Sequence, residues 1–342
     1  MTMRITVVGA GLAGALLAWR LCHLRPGARL TLVTGPSRPD ATGASGGLVR
    51  AFEAGPDEAE AAARSMAELV ASPVLRRWSD YREIGSAYLL PGPADARALR
   101  WAEELLPGSV ALREGAALAR ALPVRRLPAG VVAVLERRAG FLSPARLRDR
   151  VLADLASGGT RISAVPACRV APDGSVRTRD GATTAADVTV VAAGAWTPAL
   201  LAASGLAAPA LRTKQIQYTR CRLRLPGLGA FVDETTGLYG RPADAGTFLF
   251  GLPCDRWDVA PDAVTPDRPL VGQVVREVRR RFGVEPAADG TVASFDCYAD
   301  HGGLRLRPAG DTGRLFTFTG GSGGAAKTAL AASHRAALAL PG

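Results

Sequence analysis

The first 34 residues of the chain form the pattern of a strand, a helix and a second strand. Residues 4–8 are a short, β-branched apolar run, which is typical of a buried parallel strand. Residues 12–24 place leucines at the spacing of one helix face, and residues 29–34 return to a strand pattern. Because parallel neighbours need a crossover connection, this order predicts the start of an α/β domain with a parallel sheet.

The turn between the first strand and the helix carries three glycines with the spacing G-x-G-x-x-G: Gly9, Gly11 and Gly14. In such a unit the turn brings backbone N–H groups and a helix N-terminus to a pyrophosphate, and the third glycine allows close packing of helix and strand. The alternative is a glycine-rich helix start without a ligand. The complete strand–helix–strand context favours a dinucleotide site.

The residue at the end of the second strand departs from the usual ribose contact. An acidic side chain normally binds the ribose hydroxyl at this position, whereas this chain has Thr34, with Arg38 in the loop that follows. Two interpretations stay open. Either Thr34 or a loop group holds the ribose, or Arg38 accommodates the 2′-phosphate of NADP, which would make the protein an NADP-dependent reductase.

The composition indicates which kinds of ligand and partner the protein can bind. The net charge of +11 is almost entirely arginine, because Lys214 and Lys327 are the only lysines, and the arginines are scattered without interleaved aromatic residues. This pattern favours an anionic small molecule over nucleic acid. The five cysteines lack a C-x-x-C pair and the three histidines lack metal-ligand spacing, so we expect no metal. Without a long apolar run or a signal-peptide pattern, we expect no membrane association and a cytoplasmic location.

The remaining 300 or so residues suit a second domain that interrupts the first. Residues 211–251 are rich in strand patterns, and residues 270–281 form an amphipathic helix pattern. A last apolar strand over residues 315–319 leads into a second glycine-rich turn and a helix. Two glycine turns at opposite ends of the chain predict an elongated ligand that both ends hold.

Five segments, spread over nearly the whole chain, resemble the D-amino-acid oxidase superfamily in order and spacing, most of all its small glycine and sarcosine oxidases. They are "VVGAGLAGALLAW", "TGASGGLVRAFE", "DVTVVAAGAW", "LYGRP" and "FTGGSGGAAKT". The resemblance implies an α/β fold with a Rossmann-like FAD-binding domain of the glutathione-reductase type, and an interleaved α+β substrate domain built on a mostly antiparallel sheet. The implied FAD-binding domain covers residues 1–83, 141–210 and 298–342, and the substrate domain covers residues 84–140 and 211–297.

The resemblance also implies which residues bind FAD. Backbone groups near the pyrophosphate, the ribose, the adenine and the flavin ring make up most of the set. The positions are Gly9, Gly11, Leu12, Gly14, Thr34, Ser45, Gly46, Val165, Ala167, Ala193, Gly194, Trp196, Gly321, Gly323, Gly324, Ala325, Ala326 and Lys327.

Five side chains match substrate-pocket positions of the family: Arg50, Tyr239, Arg241, Tyr298 and Lys327. Arg50 and Lys327 are implied to hold a substrate carboxylate through charge-assisted hydrogen bonds. Tyr239 and Arg241 are two residues apart, so they should share one face of a strand. The alternatives are a solvated lysine at a helix start and an ordinary strand end.

Two positions differ from some sarcosine oxidases. The strand that carries an oxygen-activating lysine in those enzymes matches Thr247 to Phe250, which is uncharged here. Cys297 lies near a cysteine that attaches flavin covalently in some members, but the local pattern is shorter. We therefore expect a buried, inert Cys297 and non-covalent FAD.

The resemblance implies an oxidase of an amino acid or a secondary amine, of the glycine or N-alkylglycine type. Hydride would pass from the carbon beside a neutral nitrogen to the flavin, the imine would hydrolyse, and O2 would reoxidise the flavin to give H2O2. No acid–base side chain is obligatory for that chemistry. The alternatives are the NADP-dependent reductase and a flavin-binding protein without amine turnover.

Overall fold

The structure is a computed structural model that describes residues 2–36, 39–207, 210–244 and 246–341. For Asp57 it describes the backbone and not the side chain. Within these ranges the helices are α1 (Leu12–Leu24), α2 (Ala41–Ala44), α3 (Pro56–Ala71), α4 (Pro73–Ser79), α5 (Ala96–Leu105), α6 (Gly115–Ala121), α7 (Pro144–Ser157), α8 (Thr197–Ala203), α9 (Arg268–Phe282) and α10 (Ala325–Ala339). The strands are β1 (Arg4–Val8), β2 (Arg29–Val33), β3 (Leu48–Val49), β4 (Arg82–Glu83), β5 (Ser86–Leu90), β6 (Val110–Glu114), β7 (Val132–Glu136), β8 (Gly140–Phe141), β9 (Arg161–Ser163), β10 (Ala167–Val170), β11 (Val176–Thr178), β12 (Thr183–Thr184), β13 (Val188–Val191), β14 (Leu211–Arg222), β15 (Ala230–Asp233), β16 (Leu238–Asp244), β17 (Thr247–Gly251), β18 (Ala287–Ala299), β19 (Arg305–Pro308) and β20 (Leu315–Thr319).

A six-stranded sheet is built around the N-terminal unit, in the order β19-β20-β13-β1-β2-β9. Its inner strands pair in parallel, and β19 adds an antiparallel edge. Helix α1 buries Leu16, Leu17 and Leu21 in the same core as Ile5 and Val7 of β1. The leucine spacing in the sequence therefore placed the buried face of this helix correctly.

A second, eight-stranded sheet has the order β18-β14-β17-β16-β15-β5-β7-β6. All its neighbours pair antiparallel except β15 with β5. Helix α9 covers one face, where Val274 and Val278 join Phe231 and Phe250 in a separate core. The two sheets confirm the predicted fold class. The predicted domain boundaries stay a prediction, although β18 continues past residue 297 to Ala299.

Residues 56–81 are rich in Ala, Glu and Arg, which predicts one helix, but that helix is interrupted in the structure. It contains two helices, α3 and α4, separated at Ser72. Pro73 cannot donate a backbone hydrogen bond, and the Ser72 hydroxyl accepts from the N–H of Leu75 at 3.2 Å, which starts a new helix.

Arg281 joins α9 to the second sheet through a fully buried ion pair. Its Nη2 lies 2.8 Å from Oδ2 of Asp233 on β15, and its Nη1 donates to the carbonyls of Arg125 and Arg126 at 2.9 and 3.0 Å. The Asp233 carboxylate also accepts from the N–H of Thr235 at 3.0 Å. The amphipathic pattern gave no sign that an arginine lies on the buried face.

Within the described ranges, no helix combines the length and the apolar character that a bilayer crossing needs.

Candidate functional site

A cavity of about 860 Å³ lies at the carboxyl ends of the parallel strands and reaches the face of the second sheet. Val8, Val33 and Ala192 line it at the ends of β1, β2 and β13, and β14 and β18 line it from the other side. Ligands of open α/β sheets bind at this edge. The cavity therefore has the position that an extended dinucleotide requires.

Glycine is needed at the three positions of the first turn for different structural reasons. A Cβ on Gly9, whose φ is +111°, would lie 2.4 Å from the carbonyl oxygen of Ala192, and one on Gly14 would lie 2.0 Å from that of Gly9. Gly11 has no such neighbour: the nearest atom to its Cβ position is Thr42 Oγ1 at 3.4 Å. Gly9 and Gly14 thus permit backbone packing, whereas Gly11 keeps the wall of the cavity free of a side chain.

The N-termini of two helices meet the cavity. At α1 no side chain of the cap residue satisfies the backbone, and the N–H of Leu12 donates to Thr42 Oγ1 at 3.0 Å. At α10 the cap residue is Gly324, also without a capping side chain. N–H groups that lack an intrahelical partner at a helix start favour anionic or polar ligand atoms. This cradle fits the pyrophosphate and the polar edge of a flavin.

Charged groups near the ribose position come from the loop after β2 and from α7. Thr34 lines the cavity, and its hydroxyl donates to the carbonyl of Gly35 at 3.4 Å. Asp40 also lines it and pairs with Arg148 at 3.0 Å, which in turn pairs with Asp149 at 2.8 Å. The acidic side chain of Asp40 therefore lies at the cavity, six residues after Thr34, which occupies the position of the usual ribose-binding acid. Arg38, the predicted partner of a 2′-phosphate, lies outside the described residues.

Most residues of the implied FAD set surround this cavity. Those that line it are Gly9, Gly11, Leu12, Thr34, Ser45, Gly46, Ala167, Ala193, Gly194, Trp196, Gly321, Gly323, Gly324, Ala325, Ala326 and Lys327. Gly14 packs behind the turn. Among the described residues that line the cavity, Val165 is absent, but its neighbour Pro166 is present.

Arg50 and Lys327 meet at a carboxylate that the sequence analysis missed. Arg50 Nη2 lies 2.9 Å from Glu53 Oε2, and Lys327 Nζ pairs with the same oxygen. The Arg50 guanidinium also lies 4.4 Å from the centre of the Tyr88 ring. Burial and the Arg50 charge lower the pKa of Lys327 well below its usual value. Both cations that were predicted to bind a substrate carboxylate thus already have an internal anion.

Glu136 of β7 holds the segment that carries Arg50 and Glu53. Its two carboxylate oxygens accept from the backbone N–H groups of Ala51 and Phe52 at 2.8 and 3.1 Å. Burial raises the pKa of Glu136 to about 7, against the opposite effect of these hydrogen bonds. The second sheet therefore holds the backbone next to Arg50, which lines the cavity.

Tyr239 and Arg241 lie on β16 but make different contacts. Tyr239 lines the cavity and donates from its hydroxyl to the carbonyl of Gln217 at 3.0 Å. Arg241 does not belong to the described lining: its Nε donates to the carbonyl of Gly46 at 2.6 Å, and its guanidinium lies 4.0 Å from the Phe141 ring centre. Burial lowers the pKa of Arg241 to about 10. Its observed contacts support the loop at Gly46.

The remaining predicted positions lie at the end of the cavity near β18. Tyr298 lines it, and burial raises the pKa of Tyr298 to about 12. Cys297 is buried and also lines it, and burial raises the pKa of its thiol. Lys214 of β14 lines the cavity as well, with Nζ 4.4 Å from the Trp257 ring centre. Both lysines of the chain therefore belong to this one site.

Residues 4–338 match the family model of the FAD-dependent oxidoreductases, which includes D-amino-acid oxidase. The chain belongs to this family. The match covers nearly the whole sequence and confirms the resemblance that the five motifs indicate. The dinucleotide cofactor of this family is FAD.

Solved structures with the same fold include several enzymes of amines and amino acids. Glycine oxidase from Geobacillus kaustophilus has a TM-score of 0.77 and 19% identity, covering 99% of this chain and 95% of that one. L-proline dehydrogenase from P. horikoshii has a TM-score of 0.80 and 15% identity, covering 98% and 92%. Iminodiacetate oxidase from Chelativorans sp. BNC1 has a TM-score of 0.73 and 20% identity, covering 99% and 96%. At these identities the likeness shows the fold, and the sequence matches none of the curated proteins compared with it.

Proposed function

We propose that this FAD-dependent oxidoreductase oxidises the C–N bond of a small amino acid or secondary amine, with O2 as the electron acceptor. The observation that carries the proposal is the continuous cavity from the Gly9–Gly14 turn to the face of the second sheet. One end offers backbone donors and the other offers aromatic and charged side chains. The structural relatives named above act on glycine, L-proline and iminodiacetate, according to their names.

The residues of the cavity divide between cofactor and substrate. FAD, when bound, supplies the hydride acceptor. The turn at Gly11, the start of α1 and the start of α10 would hold it. Tyr239, Tyr298 and the Arg50–Glu53–Lys327 group would line the substrate end. Displacement of water from this pocket by the ligands would strengthen each charge interaction inside it.

We propose non-covalent FAD. A thioether link needs a nucleophilic thiolate, and burial disfavours the thiolate of Cys297. Colour that stayed with the protein after denaturation would contradict this.

The purified protein is expected to be yellow and to release its flavin into the supernatant on acid precipitation. Anaerobic addition of glycine, sarcosine, L-proline or iminodiacetate should bleach the flavin absorbance with at least one of them. Air should restore it and yield H2O2. A yellow protein that no amine bleaches would support the flavin-binding protein without turnover, and a colourless protein that takes up NADP but not FAD would support the reductase.

Glu53 is expected to limit the affinity of the site for substrate carboxylates. In Glu53→Gln, Arg50 and Lys327 lose their internal anion, so an external carboxylate gains the charge of Arg50 and a hydrogen bond from Lys327, and acetate should bind about tenfold more tightly. The measurement is a titration of the flavin absorbance of the holoenzyme with acetate. The control is Glu60→Gln, which removes a half-buried carboxylate that pairs with Arg64 on α3. An unchanged acetate affinity would show that the two cations do not face the carboxylate.

A further inference from the structure

Within the part of the chain that the structure describes, the carboxylate of Asp296 in the cavity has no counter-ion. Asp296 lies on β18, lines the cavity and is 7% exposed. Among the described residues, no donor lies within hydrogen-bond distance of its Oδ2. A Cβ on Gly323 would lie 3.3 Å from this oxygen, which places it beside the C-terminal glycine turn. A buried carboxylate without a partner is costly, and a ligand that supplied a cation or a donor would remove that cost.

The other charged groups of the lining have partners. Asp40, Arg148 and Asp149 pair with one another, and Arg50 and Lys327 share Glu53. Lys214 stands directly opposite Asp296 in the β14–β18 register, but its Nζ lies over the Trp257 ring, and the described part of the chain shows no ion pair between the two. The cations where a substrate carboxylate is expected thus share an internal carboxylate, whereas among the described residues Asp296 beside Gly323 has no ion-pair partner.

We propose that Asp296 binds the ammonium group of the substrate and accepts its proton. The proposal rests on the proposed function, because it concerns the amine that is to be oxidised. An ammonium nitrogen has no lone pair and cannot release hydride from the adjacent carbon. The transfer breaks one N–H bond, forms one O–H bond on the Asp296 carboxylate, and leaves the lone pair on nitrogen, with no change in oxidation state.

The surroundings of Asp296 suit a proton acceptor. An ordinary aspartate is too weak a base near neutral pH, but burial raises the pKa of Asp296 to about 7. The carboxylate form therefore accumulates as the pH rises through about 7. The titratable or charged groups next to it are Lys214 on β14, Tyr239 on β16, and Cys297 and Tyr298 on β18. One step further away, Tyr218 and Cys254 lie near Tyr239, and Glu58 and Lys327 lie near Gly324 of the C-terminal turn.

The first test measures binding to the holoenzyme, independently of turnover. N,N-dimethylglycine and 3-methylbutanoate have the same shape and the same carboxylate, but only the first has an ammonium N–H. At pH 8 the wild-type protein should prefer dimethylglycine by about tenfold or more, since a hydrogen bond to a charged group contributes about 1.5–3 kcal/mol. Asp296→Asn keeps the shape and should lose this preference. The shift of flavin absorbance gives both Kd values, or the saturation of bleaching does so if dimethylglycine is oxidised.

The second test measures anaerobic flavin reduction by an amine that bleaches the wild-type protein. The apparent second-order rate should rise with pH through an inflexion near 7, and Asp296→Asn should lack this inflexion and react about 10–100-fold more slowly at pH 8. The inflexion of the substrate amine at higher pH should remain. Ser294→Ala, two residues earlier on β18, is the control for a polar side chain lost from the same strand.

The outcomes separate this inference from the proposed function. If no amine bleaches the wild-type flavin, the proposed function fails, and the binding comparison still decides whether Asp296 recognises an ammonium group. An Asp296→Asn protein with the wild-type binding preference and the wild-type pH profile overturns the inference alone. Loss of FAD from Asp296→Asn, with Ser294→Ala fully loaded, overturns it in favour of a contact to the cofactor.

Discussion

Replacing Gly11 by alanine is expected to weaken FAD binding about 100-fold, since overpacking costs about 1–3 kcal/mol and 1.4 kcal/mol is a factor of ten. The backbone at Gly11 has φ −66°, which alanine adopts without strain, and the structure leaves room for its Cβ. The protein alone therefore tolerates the change. The methyl group would occupy the cavity wall that the pyrophosphate is proposed to approach. Fluorescence titration of the apoprotein with FAD measures the effect.

Two further glycine variants make the Gly11 result interpretable. Gly9→Ala should lose both FAD binding and stability, because its Cβ would collide with the carbonyl of Ala192 and its φ is positive. Gly92→Ala should change neither, since no atom lies within 4 Å of its Cβ position. Urea denaturation of the apoproteins supplies the free energies of unfolding. If Gly11→Ala binds FAD as tightly as the wild type, the pyrophosphate does not lie at this turn.

Arg281→Met is expected to lower the free energy of unfolding by about 3–5 kcal/mol, because it leaves the buried carboxylate of Asp233 without a counter-ion. The carbonyls of Arg125 and Arg126 would lose a donor at the same time. Denaturant unfolding followed by circular dichroism measures the loss. The double variant Arg281→Met with Asp233→Asn should recover part of it, because the uncompensated charge is then absent. A double variant no more stable than Arg281→Met would show that packing, rather than charge, causes the loss.

The nucleotide-binding half of the protein was predictable because its determinants are local. Strand β1 and helix α1 begin and end where the sequence pattern predicts, and so does β20. In the sequence Ser143 suits an N-cap and Pro144 a first helical position, and α7 begins there, with the Ser143 hydroxyl accepting from the N–H of Arg146 at 3.3 Å. Side-chain periodicity, caps and turn glycines act over a few residues. A single sequence therefore contains the information that fixes them.

The charges of the substrate end were not predictable in the same way. Glu53 and Lys327 are 274 residues apart, and neither local segment indicates that they share a buried ion pair. Asp296 had a weak signal, an acidic residue between apolar ones in "ASFDCYA", but that pattern also fits an exposed strand. Arg241 was expected to face the substrate because Tyr239 does. Its long side chain instead donates a hydrogen bond to the carbonyl of Gly46.

The sequence by itself determined the glycine turn, the parallel sheet around it and the family with its FAD. Only the tertiary structure decided that Arg50 and Lys327 share Glu53, and that no described residue donates to Oδ2 of Asp296 beside Gly323. The physical reason is that backbone conformation depends on neighbours along the chain. The protonation and pairing of a charged side chain depend instead on tertiary contacts. Segments that are distant in sequence bury the group and decide whether a partner lies within hydrogen-bond distance.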